Sequence, residues 1–224
     1  PQLNYNADAS YKRDLLSTYV NIQKHFSQTL LNWITSYSRA KDKQVLDADF
    51  TYHDVFQNEK ESKQDLITQE INYQSSQGEK IDWTLGTFGF YKDLTNDYLA
   101  TFGTERHLLL PLDLDQASYY NNTSTWGIAG YGQVTVKNLL PGMFVTAGIR
   151  YDYEKASLSY RDSLLFHDAD QFTGYHDWDE NHSYAAWLPK FSILQKWNEQ
   201  LSTCLNISKG YKAGGYNMIS NEMT

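Results

Sequence analysis

At 224 residues the chain is long enough for one domain, and its net charge of -8 argues against nucleic acid, whose binders usually carry a basic patch. It holds 18 Tyr, 10 Phe and 6 Trp, yet its mean hydropathy is only -0.62. No apolar run approaches the roughly 20 residues of a membrane helix, so a spanning helix is excluded, whereas a spanning β-barrel is not, because its strands alternate apolar-out with polar-in and average to low hydropathy.

In chain order, the first strand pair is predicted near residues 11–22 and 28–40, where Leu30, Leu31, Trp33 and Ile34 do not settle which face is out. A long polar connection follows over 41–63. Residues 65–75 and 80–92 form the next pair, joined by a short turn over 75–80. In the second of these Trp83, Leu85, Thr87 and Tyr91 share a face, while Phe88 and Phe90 fall on the other, so the alternation is imperfect. After a second long connection, 93–123, residues 124–137 alternate Trp126, Ile128, Val134 and Val136 against Thr125, Tyr131, Gln133 and Thr135. Gly127, Gly130 and Gly132 mark bends or close backbone approach.

The turn Asn138-Leu139-Leu140-Pro141-Gly142 leads into the clearest strand, 143–154. Val145, Ala147, Ile149, Tyr151 and Tyr153 lie on one face, with Arg150, Asp152 and Glu154 on the other. One apolar face and one wet face suit a barrel strand better than a sandwich strand buried on both sides. A third long connection covers 156–182. Residues 184–197 and 201–208 close the series across the short turn 197–200, with Cys204 on the lumen side. Pro189 implies a bulge or a local break in pairing, since it cannot donate to a ladder. Alternating short and long connections suit an up-and-down meander with short periplasmic turns and longer extracellular loops. Tyr91, Trp126, Tyr151, Tyr153, Trp187 and Trp197 sit near predicted strand ends, where polar-edged rings favour a membrane–water interface; ordinary core packing is the alternative.

The lone Cys204 allows no internal disulfide. No leader is recognisable and Pro1 is not a native start, so the chain reads as a piece of something longer. No nucleophile elbow, HExxH, phosphate-binding loop or CxxC occurs, and Asp47 and Asp49 on a predicted connection imply no acid–base geometry, so no enzyme is expected. Around His167, Asp168, Asp170, His176 and His182 oxygen and imidazole donors are dense, but the spacing fits no metal loop and no metal or cofactor is expected. Aromatic and charged residues of the long connections are the ligand candidates: Arg106, His107, Tyr119, Tyr120, Tyr175, His176 and Trp178, with Phe102 and Phe172 beside them. Rings can stack on a planar chelate, and Arg106 can pair with an anionic group.

Several segments, in order, resemble the barrel of TonB-dependent outer-membrane receptors. Leu31-Asn32-Trp33-Ile34-Thr35-Ser36-Tyr37 before the acidic Asp47-Ala48-Asp49 is similar to an early strand and its loop; Thr68-Gln69-Glu70-Ile71 to the returning strand; Asp82-Trp83-Thr84-Leu85-Gly86 to the next rising one. Ala129-Gly130-Tyr131-Gly132-Gln133, Thr146-Ala147-Gly148-Ile149-Arg150-Tyr151-Asp152 and the run from Ser208 to Asn217 follow in the family's order. The resemblance implies an all-β, antiparallel up-and-down transmembrane barrel, of which residues 1–224 are a fragment with about eight of 22 strands. It implies outer-membrane lipid as surroundings, a ferric siderophore, haem, cobalamin or oligosaccharide as ligand, and the TonB complex as partner through a plug domain that these residues do not include. A passive porin-like channel and a soluble, aromatic-rich glycan-binding β domain are the alternatives.

Overall fold

The computed structural model describes residues 6–76, 78, 80–108, 113–167 and 176–212. It is an eight-stranded antiparallel sheet in the order β1-β2-β3-β4-β5-β6-β7-β8, each strand paired with its neighbours in sequence. The strands are β1 (Ser10–His25), β2 (Thr29–Asp47), β3 (Phe56–Ser75), β4 (Ile81–Phe102), β5 (Leu114–Lys137), β6 (Met143–Phe166), β7 (Asp177–Lys196) and β8 (Ser202–Ser208). Among the described residues one 3-10 turn, Arg106–Leu108, interrupts the β structure. No helix among the described residues is long and apolar enough to cross a membrane, which says nothing of crossing by strands.

The sheet is curved, and side chains from non-adjacent strands meet on its inner face. Tyr131 on β5 reaches past β4 to donate to Glu70 Oε1 on β3 at 2.6 Å, and also bonds Asn72. Gly86 on β4 makes this crossing possible: a Cβ there would stand 2.3 Å from the Tyr131 ring. Arg150 on β6 lies 5.5 Å from the Tyr131 ring centroid and 5.8 Å from that of Phe88, and it chelates Asp152 at 2.7–3.1 Å. Phe88 and Phe90 therefore break the alternation of β4 because they line the inner face beside Arg150 and Gly127.

The outer face carries the apolar residues. Leu85, Ile128, Ile149 and Trp187 are each more than half exposed, the reverse of a soluble core. On β4 this face runs from Ile81 to Tyr91, roughly 33 Å along the strand and about 25 Å when tilted as barrel strands are, the height of a spanning apolar band. Tyr91 and Trp126 are cross-strand partners at its margin, as are Tyr151 and Trp187, whose rings lie 4.7 Å apart. Beyond that margin the same face turns polar, with Asp93, Thr95 and Asp97 on β4 and Lys155, Ser157, Ser159 and Arg161 on β6.

Here the fold departs from the sequence expectations. The three long connections are mostly strand. β2 and β3 consume much of 41–63, β4 and β5 most of 93–123, and β6 and β7 run into 156–182. The aromatics expected near strand ends, apart from Trp197, stand in mid-strand. Sequence periodicity ends at the apolar margin because both faces are wet beyond it, while the backbone ladder continues, with a register shift only between Leu114 and Gln116 at the start of β5. Pro189 causes no bulge: β6 and β7 pair in unbroken register through Ile149↔Pro189. Its carbonyl accepts from Lys209 N at 3.1 Å, one residue past the end of β8, so its missing N–H points where that ladder has already stopped.

At the other end the connections are short. The turn 138–142 uses positive φ at Asn138 (53°) and Gly142 (75°). It is tied to β7 by Lys196 N donating to Gly142 O at 2.8 Å. Cys204, opposite Leu194 in the register, shares the inner face as the alternation implies.

Candidate ligand-facing site

Above the apolar margin, four aromatic rings cross the inner face on four successive strands. Tyr98 (β4) and Tyr119 (β5) are directly paired, with centroids 4.5 Å apart and planes 14° from parallel. Tyr160 (β6) is 6.3 Å from Tyr119 at 19°, and Trp178 (β7) is 5.3 Å from Tyr160 at 33°. Such near-parallel geometry contributes about 0.5–1.5 kcal/mol per pair beyond burial. It also presents a row of ring faces and polar edges along one wall.

The row rests on amides. Ser62 donates to Asn96 Oδ1 at 2.7 Å, and Asn96 Nδ2 donates to Asn121 Oδ1 at 2.9 Å. Asn121 is fully buried, and its own Nδ2 finds no partner among the described residues. Asp162 closes one side by accepting from the His176 backbone N–H at 2.8 Å. A cavity of about 340 Å³ opens here, lined by Tyr98, Tyr119, Tyr160, Asp162, Leu164 and His176 among others.

The ligand candidates separate on this geometry. Tyr119, His176 and Trp178 come together in or beside the row. Tyr120, the next residue on β5, points to the outer face and is 40% exposed. Arg106 pairs with Asp113 at 3.6 Å and Asp115 at 3.4 Å and donates to Gly103 O, so its charge serves its own connection. His107 is exposed on the 3-10 turn. Tyr175, like Phe172, Asp168, Asp170 and Asn217, lies outside the described residues. Among the described residues no three His, Cys, Asp or Glu side chains are placed to hold a metal ion. Tyr98 and Tyr160 were missed because both stand in stretches read as loops; a strand register carried up from Tyr91 and Tyr151 would have put them on one face.

The connections beside the row are clamped by carboxylates. Glu105 accepts from His53 Nδ1 and from Asp54 N, both at 3.0 Å, and these bonds hold its carboxyl below the usual carboxylate range. Asp54 in turn accepts from Thr104 N and Oγ1 at 2.9 and 3.0 Å. Burial pushes Asp49 upward, but hydrogen bonds from Thr51 and Phe56 outweigh it and leave its carboxyl lowered.

Comparisons with known proteins agree with this architecture. No curated protein matches the sequence. Among solved structures the chain is similar to the ferric yersiniabactin uptake receptor FyuA of Yersinia pestis, with a TM-score of 0.79 at 15% identity over 96% of this chain and 30% of that one. At that identity the likeness is one of fold, and the chain spans about a third of the receptor's length. The family described as "TonB dependent receptor-like, beta-barrel" matches residues 1–222. With nearly its whole length matched and eight consecutive up-and-down strands in its sheet, the chain belongs to the TonB-dependent receptor family, as part of its β-barrel.

Proposed function

We propose that the complete protein imports a scarce nutrient across the outer membrane of a Gram-negative bacterium, using energy delivered by the TonB complex to a plug domain. The substrate class proposed is a ferric siderophore. The stretch described here contributes wall, lumen surface and part of the ligand-facing rim, and performs no catalysis. The observation that carries the substrate class is the inner row Tyr98–Tyr119–Tyr160–Trp178 over buried amides, a surface for a planar, partly aromatic chelate. The similarity to a ferric siderophore receptor favours the same class.

Deleting the gene and supplying iron as single defined ferric chelates tests this. Loss of growth on one siderophore, rescued by the full-length gene, is the expected result. Normal growth on every ferric chelate, with failure on haem, cobalamin or an oligosaccharide, would keep import and replace the substrate. Orientation is tested separately on intact cells. A membrane-impermeant label should reach residues 103–108 and should not reach 138–142.

A further inference from the structure

Tyr98 and Tyr119 are ladder partners on β4 and β5, so their Cβ atoms stand only about 4.5–5.5 Å apart. Their ring centroids are 4.5 Å apart, with planes 14° from parallel. Among the described residues the one other tyrosine–tyrosine ring contact is Tyr119–Tyr160, wider at 6.3 Å. It does not join ladder partners, since Tyr119 pairs with Asp162 and Tyr160 with Asn121. One inner-face step below the close pair, the Asn96–Asn121 bond at 2.9 Å ties the two strands together. One step above, Ala100 faces Ala117, and neither is bulky enough to wedge the rings apart. The cavity of about 340 Å³ reaches both rings. Burial raises both hydroxyls above the usual phenol range, so each is a neutral phenol, and an electron removed from it takes the hydroxyl proton along.

We propose that Tyr98 and Tyr119 are an oxidative modification site, joined as dityrosine by peroxide, and that the link shuts the ligand-facing row. The oxidant is hydrogen peroxide activated by iron. The iron is that of the ferric chelate seated on the row, so this regulation rests on the substrate class proposed above. Each phenol gives up one electron and one proton. The two phenoxyl radicals couple through the ring carbons ortho to their oxygens. One carbon–carbon bond forms, the two ortho hydrogens move to the oxygens, and both hydroxyls are restored. Peroxide takes up the two electrons and two protons, its O–O bond breaks, and two waters leave. Iron cycles between ferric and ferrous and ends unchanged. Two radicals must meet to couple, and rings held in contact by a ladder meet without diffusion, as fixed neighbours do in any intramolecular reaction. The linked rings are joined edge to edge and no longer offer separate faces to a planar chelate. The row thus stops taking iron where iron and peroxide coincide.

The test exposes the full-length receptor in detergent to hydrogen peroxide with ferric citrate or with gallium citrate. Gallium matches ferric iron in charge but does not change oxidation state. Dityrosine fluorescence and peptide mass spectrometry of the monomer report the product, in which the peptides holding Tyr98 and Tyr119 are joined with loss of two hydrogens. The link should form with ferric citrate and be absent with gallium citrate. Tyr98→Phe and Tyr119→Phe keep each ring and remove the hydroxyl that must be oxidised, so either should abolish the link while the thermal midpoint stays unchanged. Tyr120→Phe, on the outer face, should leave the yield as it is. The linked parent should bind the ferric chelate that supports growth severalfold more weakly, and Tyr98→Phe given the same peroxide should keep its affinity. No link in the parent, a link mainly between Tyr119 and Tyr160, an equal yield with gallium, or full affinity in the linked receptor would each overturn the proposal. If a variant fails to fold, the position of the link in the parent still decides. Growth on the siderophore is read without peroxide and reports import by itself, so failure of either reading leaves the other measurable.

Discussion

The lower and upper halves of the same strands differ first in what lies against the outer face. Between Ile81 and Tyr91 on β4 that face is apolar; from Asp93 to Asp97 it is polar, and the ladder to β5 continues through both without a shift. The inner face differs in kind as well. Below, Glu70, Tyr131, Arg150 and Asp152 form a charged, hydrogen-bonded cluster. Above, neutral rings lie over neutral amides. Backbone hydrogen bonding thus builds the wall, and the solvent on each side selects its side chains.

The sharpest way to break this contrast is a charge on the outer face. Leu85→Arg, within the apolar band, should cost about 2–4 kcal/mol, whereas Ser159→Arg, above the margin, should cost near zero. Denaturant unfolding of the full-length protein in lipid vesicles measures both; equal costs would show that the margin is misplaced.

The crossing at Gly86 comes next. Gly86→Ala drives a methyl into the Tyr131 ring and should cost about 1–3 kcal/mol, as overpacking does. Gly130→Ala meets nothing within 4 Å and should change little, both read from the thermal midpoint.

In the upper half, Tyr119→Ala should raise the ligand dissociation constant severalfold, from the loss of about 0.5–1.5 kcal/mol of ring stacking per pair. Its neighbour Tyr120→Ala, on the opposite face, should leave affinity unchanged. Quenching of tryptophan fluorescence on titration with the ferric siderophore distinguishes them.

The smallest effect concerns pH. The Glu105 carboxyl is lowered in the folded protein, so its clamp on residues 53–54 is fully present above the ordinary carboxylate range, near 4.3, and is lost as pH falls through the lowered value. Protease sensitivity of the connection between β2 and β3 should stay flat from pH 8 to about 5 and rise only below about 4.5. Glu105→Gln should abolish that rise.

Much of this was legible in the residues. The pairing order, the short turns at 138–142 and 197–200, the lumen side of Arg150, Asp152 and Cys204, and the outer side of Ile149 and Trp187 follow from period-two alternation. Alternation reports a difference between two environments. Where Ser157, Ser159 and Arg161 face one solution and Tyr160 and Asp162 another, the difference fades and the strand becomes invisible in sequence. Tyr119 and Trp178 could be picked as aromatic residues of polar stretches, but nothing local paired them with Tyr98 and Tyr160.

Composition and periodicity by themselves determined that the chain is a meander with one apolar and one wet face, and which residues take each. Tertiary structure decided how far the strands run, that Gly86 lets Tyr131 reach Glu70, and that four rings from four strands form one row. Those features depend on register and curvature, which bring together residues 59–61 positions apart, as at Tyr131, Glu70 and Asn72. No window of sequence shorter than that separation contains both partners.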